Sequence, residues 1–192
     1  AENLVVTYST DSGVGNLTWI GADESPLAFD TGPGNALIDD WVLAHTGRPF
    51  DADGALARAG RADPARVAAF ATHPWFDRAP PKSLDRDDFA AHAARLVEGL
   101  GAADGAATLA AFTAAAVARA VAHLPAPPRR WLVCGGGRHN PALMAELAVA
   151  LGVPVDPIEA IGWDGDAIEA QAFAFLAVRH LAGLPITFPG TT

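Results

Sequence analysis

Apolar positions fall into short clusters near the start of this chain and into long helical stripes further along. Residues 4–8, with β-branched Val5, Val6 and Thr7, predict a strand. Residues 9–15 predict a turn and 17–20 a second strand, so the two pair as a hairpin. Residues 27–29 are apolar enough for a third strand. From Asn35 the spacing becomes helical: Leu37, Ile38, Trp41 and Val42 share one face of a helix that Asn35 caps and that runs to about Thr46. Asp63-Pro64 opens another helix, with Val67 and Phe70 inward, and His73-Pro-Trp-Phe76 ends it. Residues 104–123 predict a long helix with Leu109, Phe112, Ala116 and Ala120 on one side. A proline-rich link, 125–130, leads into the apolar run 131–134, which reads as a buried strand. A helix over 141–151 and a short strand over 153–155 follow, a parallel crossover that is right-handed by default. The last helix is expected over 166–181, with an apolar stripe of Ala170, Phe173, Ala174, Ala177 and Leu181, before an extended tail. The picture is an α/β chain whose antiparallel meander feeds parallel strands flanked by helices.

Composition narrows the chemistry. At 51% hydrophobic, a chain of this length builds a core of its own and reads as one domain. Its 13 Lys and Arg against 22 Asp and Glu give a formal charge of -9, which disfavours nucleic acid as a partner. Cys134 is the single cysteine and has no internal disulfide partner. Neither a secretory leader nor a membrane-spanning run is evident, so a cytoplasmic setting is the expectation. His73, His92 and His123 lack the spacing of metal ligands.

The densest local signal is Trp131-Leu-Val-Cys-Gly-Gly-Gly-Arg-His-Asn-Pro-Ala-Leu-Met144. Gly135, Gly136 and Gly137 let the backbone turn sharply and approach a ligand closely. Asn140 is a good N-cap, and Pro141 suits the first helical position. A helix start with free N–H groups facing the glycine turn suits a nucleotide or other anion; a tight strand-to-helix turn with no ligand fits the same residues. The second such stretch is Asp30 to Asn35, where Gly32-Pro33-Gly34 bends the chain. A carboxylate there, Asp30, suits Mg²⁺ or a sugar hydroxyl, unless Asp30 and Thr31 only hydrogen-bond their own loop. No Gly-x-x-x-x-Gly-Lys-Ser/Thr loop occurs, and the triple glycine does not follow the Gly-x-Gly-x-x-Gly of dinucleotide-binding oxidoreductases.

The wording of that first motif resembles the adenosine-side motif of the anhydro-N-acetylmuramic acid kinases, members of the sugar-kinase, Hsp70 and actin superfamily. Ala28-Phe-Asp-Thr-Gly-Pro-Gly-Asn-Ala-Leu-Ile-Asp-Asp-Trp41 and Gly162-Trp-Asp-Gly-Asp-Ala-Ile-Glu-Ala-Gln-Ala-Phe-Ala174 resemble two further family stretches, in the family's order. The likeness runs from about Asn16 to the C-terminus. It implies a ribonuclease H-like, actin-like ATPase lobe that binds ATP, Mg²⁺ and an anhydro amino sugar. It places adenine near Gly135, Gly136, Gly137 and Asn140. Phosphate and Mg²⁺ then lie between Gly13, Gly15 and Asn16 on one side and Asp30, Thr31, Gly32, Gly34 and Asn35 on the other. Asp30 is the implied metal ligand, and Glu169 faces the sugar.

Departures from the family pattern are equally specific. Thr10, Asp11 and Ser12 stand where the family has Asn, Ile and Gly, and Asp11 adds negative charge where phosphate comes. Pro80-Pro-Lys-Ser-Leu-Asp-Arg86 resembles a family loop with Leu84 and Asp85 in place of Thr and Gly; Lys82 and Arg86 there either reach an anion or are surface charges. Asp39 and Asp40 read as solvated helix surface. In the family, an activated water opens the 1,6-anhydro ring while O6 is phosphorylated, using an aspartate and a phosphate loop of an N-terminal lobe. Neither motif is found here, so the expectation is a C-terminal lobe over 1–192, inactive alone and working with an N-terminal lobe or as a homodimer. The alternative is a non-catalytic nucleotide-binding or assembly module.

Overall fold

A computed structural model of the chain describes residues 4–9 (backbone only), 13–21, 26–187 and 189–191. Thr10, Asp11 and Ser12 lie outside the described residues. The apolar clusters at the start form three strands: β1 (Leu4–Ser9), β2 (Val14–Ile20) and β3 (Leu27–Pro33). The runs around the triple glycine add β4 (Trp131–Val133) and β5 (Val155–Pro157). These five make one sheet in the order β3-β2-β1-β4-β5. The meander pairs are antiparallel, with Tyr8 opposite Leu17 and Leu17 opposite Phe29; β1–β4 and β4–β5 are parallel. This topology points β1, β3, β4 and β5 the same way. The bends after β3 and β4 therefore gather at one end of the sheet, beside the bend that enters β2. Ligands of open α/β sheets lie beyond the carboxyl ends of such strands.

Seven α-helices are described: α1 (Ala36–Thr46), α2 (Ala55–Ala59), α3 (Pro64–Phe70), α4 (Ala90–Leu96), α5 (Ala102–Ala120), α6 (Pro141–Leu151) and α7 (Ile168–Leu181). The alanine content of α5 explains its place as the central helix. Small side chains at Ala114, Ala116 and Ala120 let neighbours approach from several sides, and all three are buried. On one side, Ala114, Val117 and Ala120 pack with Leu17, Trp19, Phe29, Trp131 and Val133 of the sheet and Leu143 and Leu147 of α6. On the other, Leu109 and Phe112 meet Leu37, Ile38 and Val42 of α1 and the aromatics Trp75, Phe76 and Phe89. Each such large side chain contributes about 1.5–3 kcal/mol on burial. With the 3₁₀ turn that follows it, α5 is long and apolar enough to cross a bilayer, yet most of that stretch is buried among these partners.

Three expectations change. First, β3 runs on to Pro33 instead of ending at Phe29, so Asp30 and Gly32 pair in the ladder and Thr31 is the extra residue of a bulge between them. Their polar groups are matched as in an edge strand: Asp30 N–H donates to Lys82 O, and the Thr31 hydroxyl donates to Gly15 O. Second, Gly15 and Asn16 lie inside β2, not in the turn, and face the bulge that absorbs the register change. Third, α7 starts two residues late and its stripe is not packed. No residue of α7 is buried, and Phe173, Phe175, Val178 and Leu181 are exposed. Ile168 alone joins a core cluster, with Leu132, Cys134 and Ile158.

Candidate functional site

Beyond β4 the chain turns at Gly135, whose φ of 74° suits glycine, and passes through a 3₁₀ turn, Gly136–His139. Asn140 then caps α6 as its type predicts. Its Oδ1 accepts from the N–H groups of Ala142 and Leu143 at 3.0 and 3.1 Å. This corrects the expectation of a helix start with free N–H groups: Pro141 has none, and the next two are satisfied by Asn140 itself. Gly54 (φ 62°) seats against this cap, because a Cβ there would meet Ala142 N at 2.9 Å.

Facing that turn is the start of α1. Gly13 (φ 77°) leads into β2, and its carbonyl accepts the Gly34 N–H at 2.9 Å. A Cβ at Gly13 would stand 2.7 Å from Ala36 Cβ, so glycine is needed for the bend to sit on the helix start. Asn35 occupies the N-cap position but corrects a second expectation. It is helical itself (φ -72°, ψ -20°) and makes no capping hydrogen bond. Its Oδ1 is buried and without a hydrogen-bond partner among the described residues. A Cβ at Gly136 would lie 3.9 Å from Asn35 Nδ2, so the two bends nearly touch.

Between them opens a cleft of about 530 Å³, lined by Gly13, Asn35 and Ala36 on one wall and Gly136, His139 and Asn140 on the other. The loop Phe50–Asp53 and the side chains of Asp39 and Arg86 complete it. Asp51 fastens that loop by accepting from Leu56 and Ala57 N–H groups, and Asp53 holds a left-handed conformation (φ 56°). Asp39 is half-buried, not solvated. Burial, with Asp40 and Asp51 adding to it and Arg86 opposing, pushes its carboxyl up to about 6. Arg86 also bonds exposed Asp40 at 2.8 Å. The cleft thus sets one arginine, Arg86, against three aspartates, Asp39, Asp51 and Asp53, between two glycine bends, so that backbone and shape outweigh positive charge in its walls.

The sequence has counterparts in known proteins. The family model described as "Anhydro-N-acetylmuramic acid kinase" matches residues 7–192. The chain belongs to the anhydro-N-acetylmuramic acid kinase family. It is similar to curated members from Paramagnetospirillum magneticum (64% identical over 180 residues), Rhodospirillum rubrum (64% over 181) and Acidiphilium cryptum (62% over 180). Each match covers 94% of this chain but 51%, 48% and 50% of those relatives. The chain thus spans about half the length of the kinase-family relatives it matches.

The residues marked out by likeness to the anhydro-N-acetylmuramic acid kinases divide in two. Gly13, Asn35, Gly136 and Asn140 line the cleft. Gly135 and Gly137 are buried in the turn behind Gly136. Asp30, Thr31, Gly32, Gly15 and Asn16 belong to the strands that carry these bends, Gly34 follows β3, and Glu169 lies in α7. Asp30 accepts the Leu84 N–H at 2.7 Å, and burial raises its pKa against that bond; it does not line the cleft. Thr31 is buried on Gly15 O, Gly32 packs on Ala116 and Phe76, and a Cβ at Gly34 would stand 3.0 Å from Gly15 N. Gly15 and Asn16 belong to β2, and Glu169 is exposed in the first turn of α7. Lys82 is buried, donating to Phe76 O at 3.0 Å above the Trp75 ring; burial lowers its pKa to about 8. It does not reach the cleft, whereas Arg86 does. Phe50, Asp51, Asp53 and Asp39 were missed. The Asp51-Ala-Asp-Gly54 turn ahead of α2 was the signal for the loop; Asp39 looked like any acidic residue in a first helical turn.

Proposed function

We propose that this chain is the ATP- and sugar-binding C-terminal half of a kinase converting 1,6-anhydro-N-acetylmuramic acid to N-acetylmuramic acid 6-phosphate in cytoplasmic peptidoglycan recycling. The observation that carries the reading is the convergence of the Gly13 bend, the start of α1, which no side chain caps, and the Gly136 turn on one cleft. On this reading the lobe is of the actin-like, ribonuclease H-like kind, consistent with its meander followed by parallel strands. The nucleotide base lies against Gly136, His139 and the Phe50–Asp53 loop, and its phosphates approach Gly13 and the N-terminal turn of α1. Arg86 supplies a cation at the cleft wall.

Mg²⁺ bound with the nucleotide neutralises phosphate charge, and such ions take one or two carboxylates plus phosphate oxygens. Asp30 fits poorly because one of its oxygens holds the Leu84 N–H and it does not line the cleft. Asp39, lining the cleft beside Arg86, fits better. Glu169 stays the proposed acceptor for a sugar hydroxyl or N-acetyl N–H. Phosphoryl transfer depends on positioning and electrostatics, and the proposed base for the attacking water belongs to the half of the relatives that this chain does not span.

Calorimetric titration with Mg-ATP and a coupled assay with the anhydro sugar test this. Nucleotide binding without sugar-dependent turnover, with turnover restored by adding the other half of a relative, is expected. Turnover by the 192-residue chain alone would overturn its inactivity; absence of nucleotide binding even with the other half would overturn the function. A second reading, a nucleotide-binding assembly module, is favoured by one observation, the exposed apolar residues of α7. It predicts self-association in analytical ultracentrifugation and no rescue of turnover.

A further inference from the structure

Arg138 lies in the middle of the glycine turn, yet its side chain is 2% exposed and points away from the cleft residues beside it into a set of three acceptors. Nη1 donates to Gly135 O at 2.9 Å, Nε to Glu159 Oε1 at 2.8 Å and Nη2 to Asp166 Oδ1 at 2.7 Å. Glu159 sits in the 3₁₀ turn after β5 and also accepts the Gly165 N–H at 3.2 Å. Gly165 is buried directly on the guanidinium: a Cβ there would overlap Arg138 Nε and come within 2.7 Å of Cζ. Burial alone would lower the Arg138 pKa, but the hydrogen bonds to Asp166 and Glu159 hold it above its ordinary value, so the clamp is ionic. A planar five-donor fork suits three divergent acceptors in a way a lysine cannot. Gly136 and His139, on either side of Arg138, line the cleft; Gly165 and Asp166 lead into α7, a helix with no buried residue.

The geometry points to Arg138 as a positioning residue that fastens the ligand-facing glycine turn to the segment entering α7, so that the order of the turn is set by residues that never touch the cleft. Anything that repositions α7 then alters the cleft wall through Asp166 and Gly165. The effect on affinity rests on the nucleotide reading above; the effect on the turn does not.

The test uses the whole chain with Asp166→Asn and Gly165→Ala, and Asp77→Asn as a control that loses another surface partner, that of Arg119. Asp166 is 77% exposed at its side chain, so its substitution removes one of the clamp's two carboxylates, leaving Glu159, without opening the core. Hydrogen exchange of the 134–141 peptide should accelerate about tenfold or more in both variants, with Tm near wild type in Asp166→Asn and no change of exchange in the control. Mg-ADP affinity by calorimetry should fall by about tenfold. Exchange unchanged in both variants overturns the clamp, and faster exchange with unaltered affinity overturns its positioning role. If wild type binds no nucleotide while exchange still accelerates, the clamp stands and the nucleotide reading falls.

Discussion

Two helices start on opposite walls of one cleft, each with an asparagine at its N-cap position, and the two asparagines behave differently. Asn140 is extended (φ -102°, ψ 99°), and its Oδ1 holds two N–H groups of α6. Asn35 is helical, offers its side-chain oxygen to no N–H of α1, and keeps a buried Oδ1 without a partner among the described residues. The same residue type is therefore a structural cap on one wall and an unfilled polar position on the other. The positive end of α6 is answered by its own cap, whereas at α1 the Gly13 carbonyl takes the Ala36 N–H at 3.4 Å and no side chain caps the turn, which is the end where the proposed ligand approaches. The larger lesson is that an asparagine ahead of a helix predicts a cap only if its own backbone stays outside the helix.

The comparison breaks most visibly at Gly13, the residue that seats the start of α1. Gly13→Ala combines a φ of 77° with a Cβ 2.7 Å from Ala36 Cβ. It should cost about 2–4 kcal/mol in urea unfolding, since strain and overlap add. Stability close to wild type would mean the bend does not hold α1. Next in size is Asn140→Ala, which orphans the N–H groups of Ala142 and Leu143 and should cost about 1–2 kcal/mol by the same measurement. A neutral result there would erase the contrast between the two asparagines.

Asp39 tests the electrostatics of the α1 wall. Its carboxyl titrates at about 6 when folded against an ordinary 3.8, so between those values the folded state holds more protons than the unfolded one. Stability should then fall as pH rises from about 4 to about 6 and level off above that. Asp39→Asn keeps the shape without the half-buried charge; it should flatten that slope and raise stability at pH 7 by about 1 kcal/mol, allowing for solvent screening. Urea titrations across that pH range decide it. A slope that survives the substitution would assign the titration to another group.

Much of the fold could be read from the chain because period and burial agree there. Leu37, Ile38 and Val42 of α1, Leu109 and Phe112 of α5, and Trp131 to Val133 of β4 are the core that their spacing predicts. What could not be read lies where a local signal has two physical outcomes. Asp-Thr-Gly-Pro looks like a turn, yet Lys82 O, the Leu84 N–H and Gly15 O, distant in sequence, satisfy its polar groups and keep it a strand. The α7 stripe reads as core-facing, yet no described element packs on it. The loop Phe50–Asp53 joins the cleft because Gly54, which follows it, packs against Asn140 and Ala142, which no periodicity reports. Asp39 differs from its neighbour Asp40 only in the side of the helix it occupies.

The smallest expected change in stability is also the sharpest test of the comparison. Asn35→Ala removes no capping bond, because none is made, and it deletes a buried oxygen that lacks a partner. An unsatisfied buried group is a cost to the fold, so its removal should leave stability within about 0.5 kcal/mol of wild type or slightly above it. The effect should appear instead in ligand binding. If phosphate oxygens or a bound water meet the Asn35 amide in the complex, Mg-ATP affinity should drop by about tenfold while urea unfolding of the free protein is unchanged. Asn140→Ala should show the opposite pattern, a loss of stability before any specific loss of affinity. Should Asn35→Ala destabilise the free protein as much as Asn140→Ala does, both asparagines would be caps in solution, and the start of α1 would have no better claim to the ligand than the start of α6.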